Sequence, residues 1–110
     1  MPDVEAGAYH RRNFVSNAAE QITVDATVGG KALTAGTYGT NRYATITIDV
    51  ADIMFTTSGA APTASVGHHA GPTDVIHLDS NEDIVKFRAI RKTSTSATIY
   101  VTYQEIKLTA

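Results

Sequence analysis

Between Thr73 and Tyr103 the chain runs TDVIHLDS, IVKFRAIR and SATIYVTY, three short stretches in which apolar and polar positions alternate. Ile76 and Leu78 share one face of the first stretch. Val85, Phe87 and Ala89 share a face of the second, and Ala97, Ile99, Val101 and Tyr103 share a face of the third. A period of two is what a half-buried β-strand requires, because successive side chains leave opposite faces of a sheet. Upstream, AYHRRNFVS (8–16) reads as a first strand and EQITVDATV (20–28) as a second, with Ile22 and Val24 on one face. Gly29-Gly30 marks a turn, since glycine reaches positive φ without steric cost. KALTAGTYG (31–39) reads as a short strand broken by Gly36, followed by a turn at Gly39-Thr40-Asn41.

The longest β-favouring stretch, YATITIDVADIMFTTSG, changes parity part-way. Ile46, Ile48 and Val50 share one face, whereas Ile53 and Phe55 fall on the other. Either a bulge near Ala51-Asp52 or a corner between two sheets removes the conflict, and corners of this kind belong to β-sandwiches. The Gly-, Ala- and Pro-rich run at 58–74 is long for a connection, with room for a short strand around Thr63 to Val66. Ser80 followed by Asp83 has capping-box spacing and predicts a single helical turn. No stretch sustains a period of 3.6, and Thr, Val and Ile are abundant. These patterns predict an all-β domain, a β-sandwich or jelly roll of about seven or eight antiparallel strands. Its expected buried residues are Ile22, Val24, Ile46, Ile48, Val85, Phe87, Ile99 and Val101.

Length and charge narrow the class. At 110 residues, without an internal repeat or low-complexity linker, a single domain (1–110) is expected. A formal net charge of −2 gives no basic stripe for nucleic acid. The chain contains no cysteine, so disulfides, iron–sulfur sites and thiol nucleophiles are excluded. The run MPDVEAGAY lacks signal-peptide character, and no apolar run approaches the ~20 residues of a membrane span. A chain made and kept in a cytoplasm, with no membrane partner, is the expectation.

Candidate chemistry is sparse. His69 and His77 with Asp74 or Asp79 are the candidate metal ligands. Adjacent histidines on extended backbone diverge, however, so His68 and His69 are poorly placed to share an ion. Asp79, Glu82 and Asp83 flank a turn and lack the alternating acids of an EF-hand. Nucleophile elbow, P-loop and dinucleotide signatures are all missing. The expectation is no catalysis, no metal and no cofactor. What remains is adhesive: Tyr9, Arg11 and Arg12 near the N-terminus, His68 and His69 in the long loop, and Lys86 and Arg88 on the outward face of their predicted strand. Tyr100 joins them, its parity opposite to that of Ile99 and Val101. Arginine forks suit carboxylates on a partner, and paired histidines gain charge near pH 6.

The combination Ala61-Pro62-Thr63-Ala64, Gly67-His68, Asp74-x-Ile76-x-Leu78, Phe87-Arg88-Ala89-Ile90-Arg91 and Ala97-Thr98-Ile99-Tyr100-Val101-Thr102-Tyr103 resembles small β-rich virion structural proteins of tailed bacteriophages. The resemblance covers roughly the C-terminal half. It implies a virion component of the capsid decoration (cement) type, a jelly-roll-like subunit seated over capsomer junctions. The implied partners are the major capsid protein and further copies of this chain, on the capsid surface after synthesis in a host cytoplasm. On that reading residues 1–12 form an N-terminal arm and 58–74 a contact loop, and the subunit is a homo-oligomer. A head–tail connector or tail protein, and a carbohydrate-binding module, are the alternatives.

Overall fold

Two four-stranded antiparallel sheets pack face to face, each built from the alternating stretches of the sequence. The computed structural model describes the backbone of residues 11–109 and the side chains of residues 15–105. In chain order the elements are β1 (Arg11–Val24), β2 (Lys31–Ala32), α1 (Ala35–Tyr38), β3 (Tyr43–Asp49) and β4 (Ile53–Thr56). There follow β5 (His68–Ala70), β6 (Val75–Leu78), α2 (Asn81–Lys86), β7 (Arg88–Arg91) and β8 (Ala97–Thr109). The first sheet has the order β1-β8-β3-β6 and the second β2-β7-β4-β5. The expected all-β sandwich is what the chain forms.

Alternation decides what fills the space between the sheets. Val24, Ala44, Ile46, Ile48, Ile76, Leu78, Ile99, Val101 and Tyr103 are buried from the first sheet, and Ile53, Ala70, Phe87 and Ala89 from the second side. Phe87 stacks on Phe55 with ring centroids 5.7 Å apart. The parity change after Ile48 is a corner between sheets. Val50 sits at φ +78° with its side chain in solvent, and the chain re-enters the other sheet at Ile53. Positive φ is unfavourable for a β-branched residue, so this corner is held under local strain.

Several expectations need correction. The two strands expected at 8–16 and 20–28 are, from Arg11 to Val24, one strand carrying a register shift between Ser16 and Ala18. The strand expected at 31–39 is only two residues long, and its continuation forms the short helix α1. The IVKFRAIR strand is split. The Ser80 hydroxyl accepts from the Asp83 amide at 3.1 Å, and the turn it caps continues as a helix to Lys86. Ile84, rather than Val85, is then buried; Val85 lies 47% exposed. Helical spacing won there because the cap set the backbone before any strand could begin. Ile22 packs against the core but is only partly buried. Thr63 and Val66 form a single bridge, while the strand in this region is β5, which carries His68 and His69.

Candidate contact surface

The outer faces of the two sheets differ in what lies on them. On the second sheet the connection from β4 to β5 folds back. Pro62 is fully buried, and a Cβ added to Gly30 would come within 3.0 Å of its ring and 3.2 Å of Arg88 Cβ. Gly30 has φ +83°, so glycine is required there both by the turn and by this contact. The Lys92 ammonium donates to the Ala64 carbonyl at 3.4 Å and lies 3.8 Å from the Met54 sulfur. Met54, on the outward parity of β4, is consequently only 5% exposed.

Among the described residues, nothing covers the outer face of the first sheet. Cross-strand register lines up Gln21, Tyr100, Thr47 and Val75 in one row and Ala19, Thr102, Thr45 and His77 in the next. Tyr100 and Val75 are each 52% exposed. A hollow of about 260 Å³ lies beside these rows, lined by Tyr43, Thr45, His77, Asp79 and Gln104. Beyond Gln104, β3 has ended and only β1 and β8 continue, paired from Val15↔Glu105 to Arg11↔Thr109. The result is a two-stranded ribbon of about 17 Å, at ~3.3 Å per residue, standing off the sandwich.

Asparagines fix the joint at the base of this ribbon. Asn17 is the extra residue of the β1 bulge, and its side-chain amide donates to Asn41 Oδ1 at 3.3 Å. Asn41 is buried and donates in turn to the Tyr38 carbonyl at 2.8 Å. Asn81 at the start of α2 donates to the Asn41 and Gly39 carbonyls at 3.0 and 3.2 Å. Beneath the joint, the Glu20 carboxylate accepts from the Tyr103 hydroxyl at 2.5 Å and from the Thr34 amide at 3.1 Å, binding β1 to β8 and to the start of α1. Burial, reinforced by the Glu20 hydrogen bond and charge, pushes the Tyr103 hydroxyl well above the ordinary tyrosine range.

The bulge has a consequence for polarity. Along the body, Tyr103, Val101, Ile99 and Ala97 take the inward parity of β8. Past Gln104 the apolar positions Ile106 and Leu108 fall on the opposite parity, and the bulge brings Phe14 and Arg12 opposite them.

The expected site residues are dispersed. Tyr9 lies outside the described residues. Arg11 and Arg12 are at the ribbon tip, opposite Thr109 and Leu108. His68 and His69 occupy the edge strand of the second sheet, His68 with its ring 5.4 Å from Phe55 and His69 with Nε2 2.8 Å from Asp52 Oδ2. Lys86 ends α2 and pairs with Glu82 at 3.4 Å, so it does not share a strand face with Arg88, as had been expected. Arg88 lies in β7, its Nε buried without a hydrogen-bond partner among the described residues. His69 and His77 belong to different sheets, and the Asp74 carboxylate accepts from the Gly71 amide at 2.8 Å. No group of three His, Cys, Asp or Glu is placed to hold a metal among the described residues. None of the described helices is long and apolar enough to cross a membrane. Of the expected adhesive residues with a described side chain, Tyr100 alone lies on the outer face of the first sheet. Val75 and the asparagine joint were missed. The parity change from Tyr103 to Ile106 was the available signal for the ribbon.

In comparisons with known proteins, no family model, no curated protein and no solved structure matches the chain.

Proposed function

We propose that this chain is a non-enzymatic structural protein of a bacteriophage virion, a decoration (cement) subunit that seats over capsomer junctions and reinforces the head. The observation that carries the reading is the division of the molecule into a closed sandwich and a protruding ribbon. A reinforcing subunit needs a rigid body and an extension with main-chain groups to offer, and no reaction. The ribbon is paired only within itself among the described residues, and the outer edge of β1 runs its whole 14 residues without a strand partner. Such an edge is a template for another chain. The proposed partners are the major capsid protein and further copies of this chain, and the proposed location is the capsid surface. Residues 1–12, which lead into the ribbon tip, are the proposed arm onto the shell, and the 58–74 region is a second contact.

The same open edge favours one alternative, a ring-forming head–tail connector or tail protein, because head-to-tail strand pairing closes into rings when the rotation allows. Quantitative mass spectrometry of purified virions separates the two. Copies in a fixed, near-stoichiometric ratio to the major shell protein are expected for a decoration subunit, and a single ring's worth of copies moves the chain to the connector or tail. Absence from particles overturns both. The hollow beside Tyr43, His77 and Asp79 then makes sugar binding the next reading to test.

A further inference from the structure

We infer that Arg88 anchors an oxyanion site on the outer face of the second sheet, taking a carboxylate or phosphate group end-on against its guanidinium. The inference stands apart from the decoration reading and needs no second copy of the chain.

Position supplies the first argument. Register puts Arg88 between Thr56 and Ala32 in the outward row of that sheet, with Ile90, Met54 and His69 in the next row. The turn at Gly30 passes over the root of the side chain. A Cβ on that glycine would come within 3.2 Å of Arg88 Cβ and 3.0 Å of the Pro62 ring. Arg88 is therefore walled at its root, and the residue as a whole is partly buried.

Its donors supply the second argument. Nε is sealed from solvent and bonds to none of the described residues, the one buried side-chain nitrogen or oxygen among them of which that is true. The two terminal nitrogens keep contact with solvent and likewise have no hydrogen-bond or ion-pair partner among the described residues. A guanidinium cannot shed the cost of burial by losing its proton, so it stays a partly desolvated cation without a counter-charge. Its end edge offers two parallel N–H groups, whose spacing matches two oxygens of one carboxylate or phosphate.

Charge supplies the third. Residues 53–73, which make β4, the folded-back connection and β5, contain no acid. Of the carboxylates bordering this region, Asp52 is engaged by His69 at 2.8 Å and Glu82 by Lys86 at 3.4 Å. Two further cations flank the connection. The Lys92 ammonium lies against the Ala64 carbonyl, and the Lys86 stem is 3.8 Å from where a Cβ on Gly59 would stand. An anion at Arg88 is thus attracted by three cations and opposed by no acid of the covering loop.

Heteronuclear NMR of the arginine side chains in the full chain tests this. Sodium acetate or sodium phosphate replaces sodium chloride at constant pH and ionic strength, acetate standing for a carboxylate and phosphate for the inorganic ion. The Arg88 Nε–Hε resonance, identified by its loss in Arg88→Met, is expected to shift saturably, with half-saturation on the order of 10 mM. Arg88→Lys should weaken the accompanying shifts of the Gly30 and Thr56 amides by roughly tenfold in affinity, because an ammonium offers no fork. Arg88→Met should abolish them while keeping or raising the unfolding midpoint in chloride, since it removes a buried donor without a partner. The wild-type midpoint should rise with the bound anion and that of Arg88→Met should not. Saturation by acetate supports a carboxylate as the ligand group, and saturation by phosphate alone supports the inorganic ion or a phosphoryl group. A resonance that saturates with neither overturns the inference, as does a response that persists in Arg88→Met.

Discussion

The two sheets of this sandwich treat their outer faces in opposite ways. On the second sheet the chain covers itself, laying the β4–β5 connection over Met54 and seating Pro62 against Gly30. On the first it leaves Tyr100, Val75 and a hollow open, and extends two of the strands past the end of the body. The short strands of the second sheet, of two to four residues, offer little edge to a neighbour. The first sheet ends instead in a strand of 14 residues. Natural sheets shorten or cover the edges that are not meant to pair. One side of the molecule is therefore finished within the monomer, and the other has the form of a surface that meets something else.

Substitutions on the two sides test that contrast, beginning with the layer they share. Phe87 is fully buried between the sheets and stacked on Phe55. Phe87→Ala should cost about 3–5 kcal/mol in denaturant unfolding, a large part of the stability of a domain this size. A loss below ~1 kcal/mol would mean that the body is not one cooperative core. Met54→Ala comes next, at about 2–3 kcal/mol, because the folded-back loop makes an outward-parity methionine behave as a core residue. A near-zero cost would show that the loop does not seal this face in solution.

Glu20 sharpens the picture from inside the bare sheet. It is the acceptor for the buried Tyr103 hydroxyl and for the amide that opens α1. Glu20→Ala should cost about 1–3 kcal/mol, the penalty for a buried donor left unpaired. The same pair sets a pH dependence. The fold holds the Tyr103 hydroxyl neutral, its pKa raised by burial and then by Glu20. Its contribution is whole below the ordinary tyrosine value of about 10 and is lost as pH climbs beyond it, since the unfolded chain gives up that proton first. Tyr103→Phe should flatten the alkaline limb of the stability profile, and an unchanged slope would place the loss on other groups.

What could be read in the sequence followed from local rules that the tertiary structure left alone. The inward parities of β3, β6 and β8 were legible because these strands keep strict alternation, and the corner at Val50 was legible as a parity conflict. The Ser80 cap was visible, but not that Ile84 would draw the helix on to Lys86, because a short apolar run fits a strand and a helical turn equally. The long first strand was divided in two between Ser16 and Glu20, and only the register across to Gln104 and Tyr103 reveals a bulge there. The candidate site was harder still. Tyr100 stood out by its parity, but Val75, two strands away in the chain and two places across the sheet, becomes its neighbour only through the β8-β3-β6 order.

Tyr100→Thr carries the smallest expected effect and the sharpest contrast with Met54. Both residues stand on an outer sheet face, yet Tyr100 is 52% exposed where Met54 is 5% exposed. Threonine keeps β propensity and matches Thr47 and Thr102, its neighbours on that face, so monomer stability at low concentration should change by no more than about 0.5 kcal/mol. At high concentration the same variant should lose the stabilisation that association gives to the folded state, so the gap between its unfolding midpoint and the wild type's should widen with protein concentration. A large loss at every concentration would mean that Tyr100 is a packing residue of the monomer, and that the bare face is less bare than its exposure indicates.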